Sequence, residues 1–185
     1  MSAAAKRNLT GKLLVARPEL HDPHFFQTLV FIAHHDAEGA LGFVMNRPVG
    51  ASLAECIGAN EQIRPFFDQI PVLRGGPVGG ARLAVVVFER PARRKRLVAH
   101  LGLPVDQLEA CLAKPNAWVR AFHGHAGWDE GQLDRELAEG SWLVKPSDPV
   151  ILNPRIAAGL WPFVISGDDR WRPLLGYLPE ESGRN

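Results

Sequence analysis

The 185-residue chain has the length of one domain, and its 46% hydrophobic and 22% charged residues are ordinary for a globular protein. Its formal net charge of +1 argues against the broad basic surface that most nucleic-acid-binding proteins carry. Two cysteines, Cys56 and Cys111, are too few for a disulfide framework, and we expect reduced thiols. We therefore predict a single domain, residues 1–185, that needs neither disulfides nor metal for stability.

No segment has the pattern of a secretory signal or of a membrane span. Residues Met1–Thr10 lack the apolar stretch of a signal peptide. The longest apolar run, Leu83–Phe88, has the length of a strand, whereas a spanning helix needs ~20 apolar residues. We expect a cytoplasmic protein that does not contact a membrane.

Hairpins dominate the secondary structure predicted for the first half of the chain. Apolar and β-branched runs predict strands at Lys12–Ala16, Thr28–Ala33 and Ala40–Met45. The second and third form a hairpin across Asp36–Gly39. Ser52 and Glu55 have the spacing of a capping box, which predicts a short helix ending near Ile57. A helical or irregular piece is expected at Glu61–Phe67.

Strands and helices follow one another irregularly in the second half. Strands are predicted at Pro71–Leu73, Leu83–Phe88, Ala117–Phe122 and Ser141–Val144. Helices are predicted at Val105–Ala113, Asp129–Ala138 and Pro154–Val164. Gly124–Gly127 is expected to be a loop, and the tail after Leu178 to be polar and frayed. Because strands and long helices do not alternate, we predict an α+β fold with a mixed, mostly antiparallel sheet.

The segment Gly75–Gly80 resembles a phosphate-binding loop only superficially. Ala81 and Arg82 follow it, where a P-loop requires lysine and then serine or threonine. The next predicted element is a strand, so the helix N-terminus that would bind a phosphate is missing. We expect these glycines to form a tight connection between two strands.

The sequence contains no complete metal-binding or nucleophile signature. None of the seven histidines has the HExxH spacing, and no CxxC pair is present. His34 and His35 are adjacent near a strand end, so their side chains are expected on opposite faces. No Gly-x-Ser-x-Gly elbow occurs, although a Cys–His dyad through Cys111 remains open. We therefore assign no catalytic residue, metal ligand or cofactor.

A basic cluster extends from Arg90 to Arg96. Its cations, besides Arg90, are Arg93, Arg94, Lys95 and Arg96. A solvated loop is one interpretation, and contact with nucleic acid or an acidic partner is the alternative. No helix-turn-helix or other standard motif places these residues on a recognition helix.

Four segments in this order resemble the AlgH/YqgE family of bacterial proteins. They are Leu13–Phe25, His35–Pro48, Leu73–Val78 and Ala126–Leu133, the last followed by Trp142-Leu143. The resemblance covers nearly the whole chain. The sequence departs from the family pattern at His125, where tyrosine is common before Ala-Gly-Trp.

The resemblance implies a fold and a compartment, but no reaction. It implies a bacterial cytosolic protein whose sheet is curled into a pseudo-barrel with flanking helices. The family is often described as a transcriptional regulator through a link with alginate production, yet it lacks a standard DNA-binding motif.

Some residues of these segments have no evident folding task and are candidate ligand-binding residues. Together with two glycines whose backbone could join them, they are His35, Asn46, Arg47, Gly75, Gly76 and Trp128. An amide and a guanidinium beside that backbone would suit a small anion or carboxylate. The leading hypothesis is a non-catalytic ligand-binding or regulatory protein whose partner is a small anionic ligand or another protein. One alternative is an enzyme with a small polar pocket near Asn46-Arg47 and Gly75-Gly76, its site assembled from His35, Arg47 and residues near Trp128. The other is a nucleic-acid-binding protein acting through Arg90–Arg96.

Overall fold

The computed structural model of the chain describes residues 8–93 and 96–167. The strands are β1 Lys12–Ala16, β2 Leu29–His35, β3 Gly39–Val44, β4 Pro48–Ser52, β5 Pro71–Arg74, β6 Val78–Glu89, β7 Val98–Leu101, β8 Ala117–Asp129 and β9 Trp142–Pro146. The helices are α1 Leu53–Ile57, α2 Arg64–Phe67, α3 Val105–Leu112, α4 Gln132–Ala138 and α5 Pro154–Ser166, with a 3₁₀ turn at Pro149–Leu152. The tail after Leu178, predicted to be frayed, lies outside the described residues.

One nine-stranded sheet forms the body of the protein. Its main path runs β4-β5-β8-β3-β2-β1-β9, and β6 pairs with both β8 and β7. The pairing of β5 with β8 is parallel, and the other pairings are antiparallel. The predicted α+β class with a mixed, mostly antiparallel sheet is confirmed. Among the described strands no pairing joins β9 back to β4, so closure into a pseudo-barrel is not established.

Strand β8 holds the sheet together because it pairs with three strands: residues 121–123 pair with both β5 and β6, and residues 126–129 pair with β3. It runs straight through Gly124–Gly127, so the prediction of a loop there is wrong. Gly124 does have a left-handed backbone, with φ of 69°, but a Cβ at this position would also collide with the carbonyl oxygens of Gly76 and Val78. Close packing against a neighbouring backbone, and not a chain reversal, therefore accounts for this glycine.

Gly75 joins two parts of the sheet. Its amide donates to the carbonyl of His123 in β8, and its carbonyl accepts from the amide of Val44 at the end of β3, each at 2.8 Å. A Cβ on Gly75 would collide with the carbonyl oxygen of Gly124, and one on Gly76 with the backbone of His125. The expected tight connection between two strands is confirmed, and it is three residues shorter than Gly75–Gly80 because β5 ends at Arg74 and β6 begins at Val78.

Other element boundaries differ from the prediction where polar or glycine residues lie inside strands. Strand β6 begins five residues before the predicted Leu83. Strands β4 and β7 were not predicted. Helix α4 begins at Gln132 because β8 continues to Asp129. The Ser52 capping box is confirmed, with the Ser52 hydroxyl accepting from the Glu55 amide and the Glu55 carboxylate accepting from the Ser52 amide.

The helices cover the sheet over three groups of buried apolar side chains. Helix α5 packs on the group that includes Phe31, Phe43 and Phe122. The indole of Trp161 pins this helix to β1 by donating to the carbonyl of Ala16 at 2.7 Å. Within the described ranges, none of the helices combines the length and apolarity that crossing a membrane requires.

Gly75→Ala is expected to lower the free energy of unfolding by about 1–3 kcal/mol or to prevent folding, because the new methyl meets backbone that cannot rotate away. Gly80→Ala is the matched control, since a Cβ there has no neighbour within 4 Å. Urea denaturation of both variants measures the difference. A loss at Gly75 no larger than the loss at Gly80 would contradict this packing.

Candidate functional site

The described structure contains a cleft with a volume of about 490 Å³. It lies where the chain after β1, the connection between β3 and β4, the end of β5 and helix α5 meet. Its walls are Pro23, His24, Val44, Asn46, Arg47, Pro48, Val49, Arg74, Gly76 and Ala158. Three of the predicted site residues, Asn46, Arg47 and Gly76, are therefore brought together in one cleft.

Two arginines lie opposite each other at one wall of this cleft. Pro48 pairs with Leu73 across antiparallel strands β4 and β5, so the same register places Arg47 opposite Arg74. The amide of Arg74 donates to the carbonyl of Arg47 at 2.8 Å. Side chains of directly opposed residues point to the same face with Cβ atoms ~5 Å apart, and like charges there repel. The register thus concentrates positive charge at one point.

The two guanidinium groups differ in the hydrogen bonds that they form with the rest of the protein. Arg47 donates through Nη2 to the carbonyl of Phe26 at 2.6 Å, which leaves its other N–H groups available. The side chain of Arg74 is exposed, and no side chain or carbonyl of the described ranges forms a hydrogen bond or ion pair with it. Arg74 is therefore the cation of this pair that is most available to a ligand.

Asn46 has a structural task that the sequence did not reveal. It is 2% exposed, and its Oδ1 accepts from the amide of Leu29 at 2.9 Å. Its Nδ2 donates to the carbonyl of Gln27 at 2.8 Å. Together with the bond from Arg47 to Phe26, these bonds hold the segment that carries His24. Asn46 therefore builds the wall of the cleft and does not offer its amide to a ligand.

His24 adds a third basic group to the cleft. A turn places it there, because the carboxylate of Asp22 accepts from the amides of His24 and Phe25 at 2.8 and 3.1 Å. The imidazole itself is exposed. None of the residues lining the cleft, all from the described ranges, carries a carboxylate. A histidine and two arginines without an acidic neighbour in the lining are suited to an anion.

His35 and Trp128, the other two predicted side chains, do not line the cleft. His35 is 6% exposed, and its Nδ1 accepts from the amide of Leu9 at 3.1 Å. His34, its neighbour, is exposed and bonded to Asp36, so the predicted opposite orientation of the two histidines is confirmed. The hydrogen bond from His34 lowers the pKa of the Asp36 carboxyl.

Trp128 belongs to a buried aromatic group. The Glu136 carboxylate accepts from the indole N–H of Trp128 at 2.9 Å and from that of Trp142 at 2.7 Å. The ring of Phe25 packs against both indoles, with its centroid 6.0 Å from that of Trp128 and 5.5 Å from that of Trp142. Because Phe25 follows His24, this aromatic group also anchors one wall of the cleft.

The basic cluster does not contribute to the cleft. Arg90 and Arg93 are exposed, and the Arg96 guanidinium donates to the carbonyl of Thr10 at 3.2 Å. Arg94 and Lys95 lie outside the described residues, so nucleic-acid binding through this segment stays an untested prediction.

Within the described ranges no group of three or more histidine, cysteine or acidic side chains could hold a metal ion. Cys56 is exposed, Cys111 is buried, and both are free.

Sequence reasoning missed His24 and Arg74. Both lie inside segments that were singled out, since Arg74 directly precedes Gly75 and His24 follows Pro23. The only feature of the sequence that could have indicated them is that each is a basic residue next to a glycine or proline, where the chain is expected to turn. Their convergence depends on the pairing of β4 with β5, which no local pattern encodes.

The fold and the cleft define an α+β protein with one mixed sheet and a basic cleft at the junction of four segments. A family model described as DUF179, AlgH-like, matches residues 13–168. The chain belongs to this AlgH-like family, which confirms the resemblance seen in the sequence. A UPF0301 protein of Stutzerimonas stutzeri is 36% identical over 162 residues, covering 82% of this chain and 84% of the relative. One of Streptomyces avermitilis is 34% identical over 189 residues, covering 96% of each.

Two solved structures share the fold. The solution structure of the AlgH protein from Pseudomonas aeruginosa has a TM-score of 0.60 at 28% identity and covers 100% of both chains. The crystal structure of protein DIP2367 from Corynebacterium diphtheriae has a TM-score of 0.69 at 23% identity and covers 93% of both chains. The second likeness concerns the fold alone.

Glu136→Leu is expected to lower the free energy of unfolding by about 2–5 kcal/mol, because two buried indole N–H groups lose their acceptor. The exposed Glu139, on the end of the same helix, is the control, and Glu139→Leu should change stability by less than ~0.5 kcal/mol. Chemical denaturation followed by tryptophan fluorescence measures both. Equal stability of the two variants would contradict the structural role of Glu136.

Proposed function

We propose that this protein binds a small oxyanion ligand in the basic cleft and acts as a non-catalytic binding or regulatory protein. The observation that carries the proposal is the placement of Arg47 and Arg74 on opposite positions of two paired strands, at the wall of a cleft without a lining carboxylate. His24 stands at the same cleft. A bound phosphate or carboxylate would relieve the repulsion between the arginines.

The electrostatic argument favours a ligand over a purely structural role. Surface arginines are usually balanced by nearby carboxylates, and unbalanced cations opposite each other weaken a sheet. A bound anionic ligand would supply the negative charge that offsets the repulsion between the two arginines. The planar guanidinium groups can bind both oxygens of one carboxylate or phosphate, which gives geometric selectivity. Arg74 would be the main ligand contact, since Arg47 also holds the carbonyl of Phe26.

The enzyme alternative has less support than ligand binding. It requires His35 and the surroundings of Trp128 to act beside Arg47, but both side chains are buried elsewhere and bonded to protein groups. Of the histidines in the described ranges, only His24 lines the cleft. The cytoplasmic location, the pseudo-barrel and the transcriptional role implied by the family resemblance belong to the proposal as well. A regulatory protein with this cleft would respond to the ligand through the segment that Asn46 and Arg47 hold.

Arg74→Gln is expected to weaken binding of inorganic phosphate by about 10- to 100-fold, the loss expected for a hydrogen bond to a charged group. Isothermal titration of the full-length protein with phosphate at low ionic strength measures the affinity. Binding by the unchanged protein should also weaken as sodium chloride is added, because the contact is electrostatic.

Arg82→Gln is the matched control for this experiment. Arg82 is likewise an exposed arginine in a strand, but it does not line the cleft. Its substitution should leave the phosphate affinity unchanged. The proposal fails if no phosphate or carboxylate probe binds saturably to the unchanged protein, or if the two arginine variants lose affinity equally.

A further inference from the structure

We infer that the ligand of this cleft is an oxyanion joined to an apolar body, so that the cleft selects an organic phosphate or carboxylate over an inorganic ion. The inference rests on the proposed function, because it concerns the same site. It adds a second recognition element, an apolar wall, to the basic groups described above.

The apolar wall is made of hydrophobic side chains that are exposed to water. Val49 of β4 is 46% exposed, so nearly half of this apolar residue's surface is in contact with water. Pro23, Pro48 and Ala158 are also exposed and line the same cleft. An apolar group placed against them would remove both surfaces from water, which is favourable in proportion to the area buried.

The order of residues along β4 places the two kinds of wall next to each other. Arg47 immediately precedes the strand, and Val49 is its second residue. Side chains two apart in extended backbone lie on the same side, so the arginine and the valine face the cleft together. Both are lining residues, with Pro48 between them. A ligand whose anionic group meets Arg47 and Arg74 would extend its remaining atoms toward Val49.

The size of the cleft agrees with such a ligand. A volume of about 490 Å³ falls within the ~300–1,000 Å³ typical of sites for small organic molecules. A single inorganic oxyanion held at the arginines would leave the apolar wall in contact with water. An aromatic or aliphatic body would cover it.

The test compares matched pairs of probes by isothermal titration of the full-length protein. The pairs are inorganic phosphate with phenyl phosphate, and acetate with benzoate. In each pair the ring should strengthen binding by about tenfold, the gain expected from partly burying one aromatic group. The pair with the stronger binding identifies whether the natural anion is a phosphate or a carboxylate, and a preference for the ring in either pair supports the inference.

Val49→Thr is the variant that separates the two recognition elements. Threonine keeps the branched shape and the strand preference of valine but replaces a methyl by a hydroxyl, so phenyl phosphate should bind about threefold more weakly while phosphate affinity stays unchanged. Val78→Thr is the matched control, because Val78 is also 46% exposed and in a strand but does not line the cleft. Arg74→Gln should weaken both probes.

The outcomes distinguish this inference from the proposed function. If phosphate and phenyl phosphate bind equally well and both depend on Arg74, the anion site stands and the inference about the apolar body is wrong. If Val49→Thr and Val78→Thr reduce the ring preference equally, the apolar wall is not the source of selectivity. If no probe binds, the proposed function itself is wrong.

Discussion

The contact between the Gly75 backbone and β8 is the constraint on which the rest of the structure depends. At this point one residue hydrogen-bonds to β8 on one side and to the end of β3 on the other. There is no space for a side chain, because the carbonyl of Gly124 occupies it. The contact joins β5 and β3 to the same long strand and positions Arg74, the preceding residue, at the cleft.

The four segments that identified the family meet one another in space. Phe25 from the first packs against both Trp128 of the fourth and Trp142. Asn46 from the second clamps the backbone at Gln27 and Leu29 just beyond the first. Most of these residues therefore serve the fold directly, and the cleft forms where their contacts converge.

The chemistry of the cleft follows from strand register more than from any motif. Arg47 and Arg74 are 27 positions apart in the chain and become neighbours because β4 pairs with β5. The glycines that resembled a phosphate loop do not bind the anion in our proposal. They allow the close backbone packing that brings the two arginines to one wall. A loop signature and a ligand site are thus adjacent in sequence, but each has a separate physical cause.

The sequence by itself determined the elements whose signals are local. Strand β1 and the helix started by Ser52 are where the hydrophobic pattern and the capping box placed them, because both depend on residues only a few positions apart. Only the tertiary structure decided the path of β8 through Gly124, since a side chain at this position would collide with the carbonyl oxygens of the distant Gly76 and Val78. It also decided that His35 and Trp128 are packing residues and that Arg74 and His24 face the cleft. Hydrogen-bond partners and strand register connect residues far apart in the chain, and a single sequence contains no local pattern that specifies them.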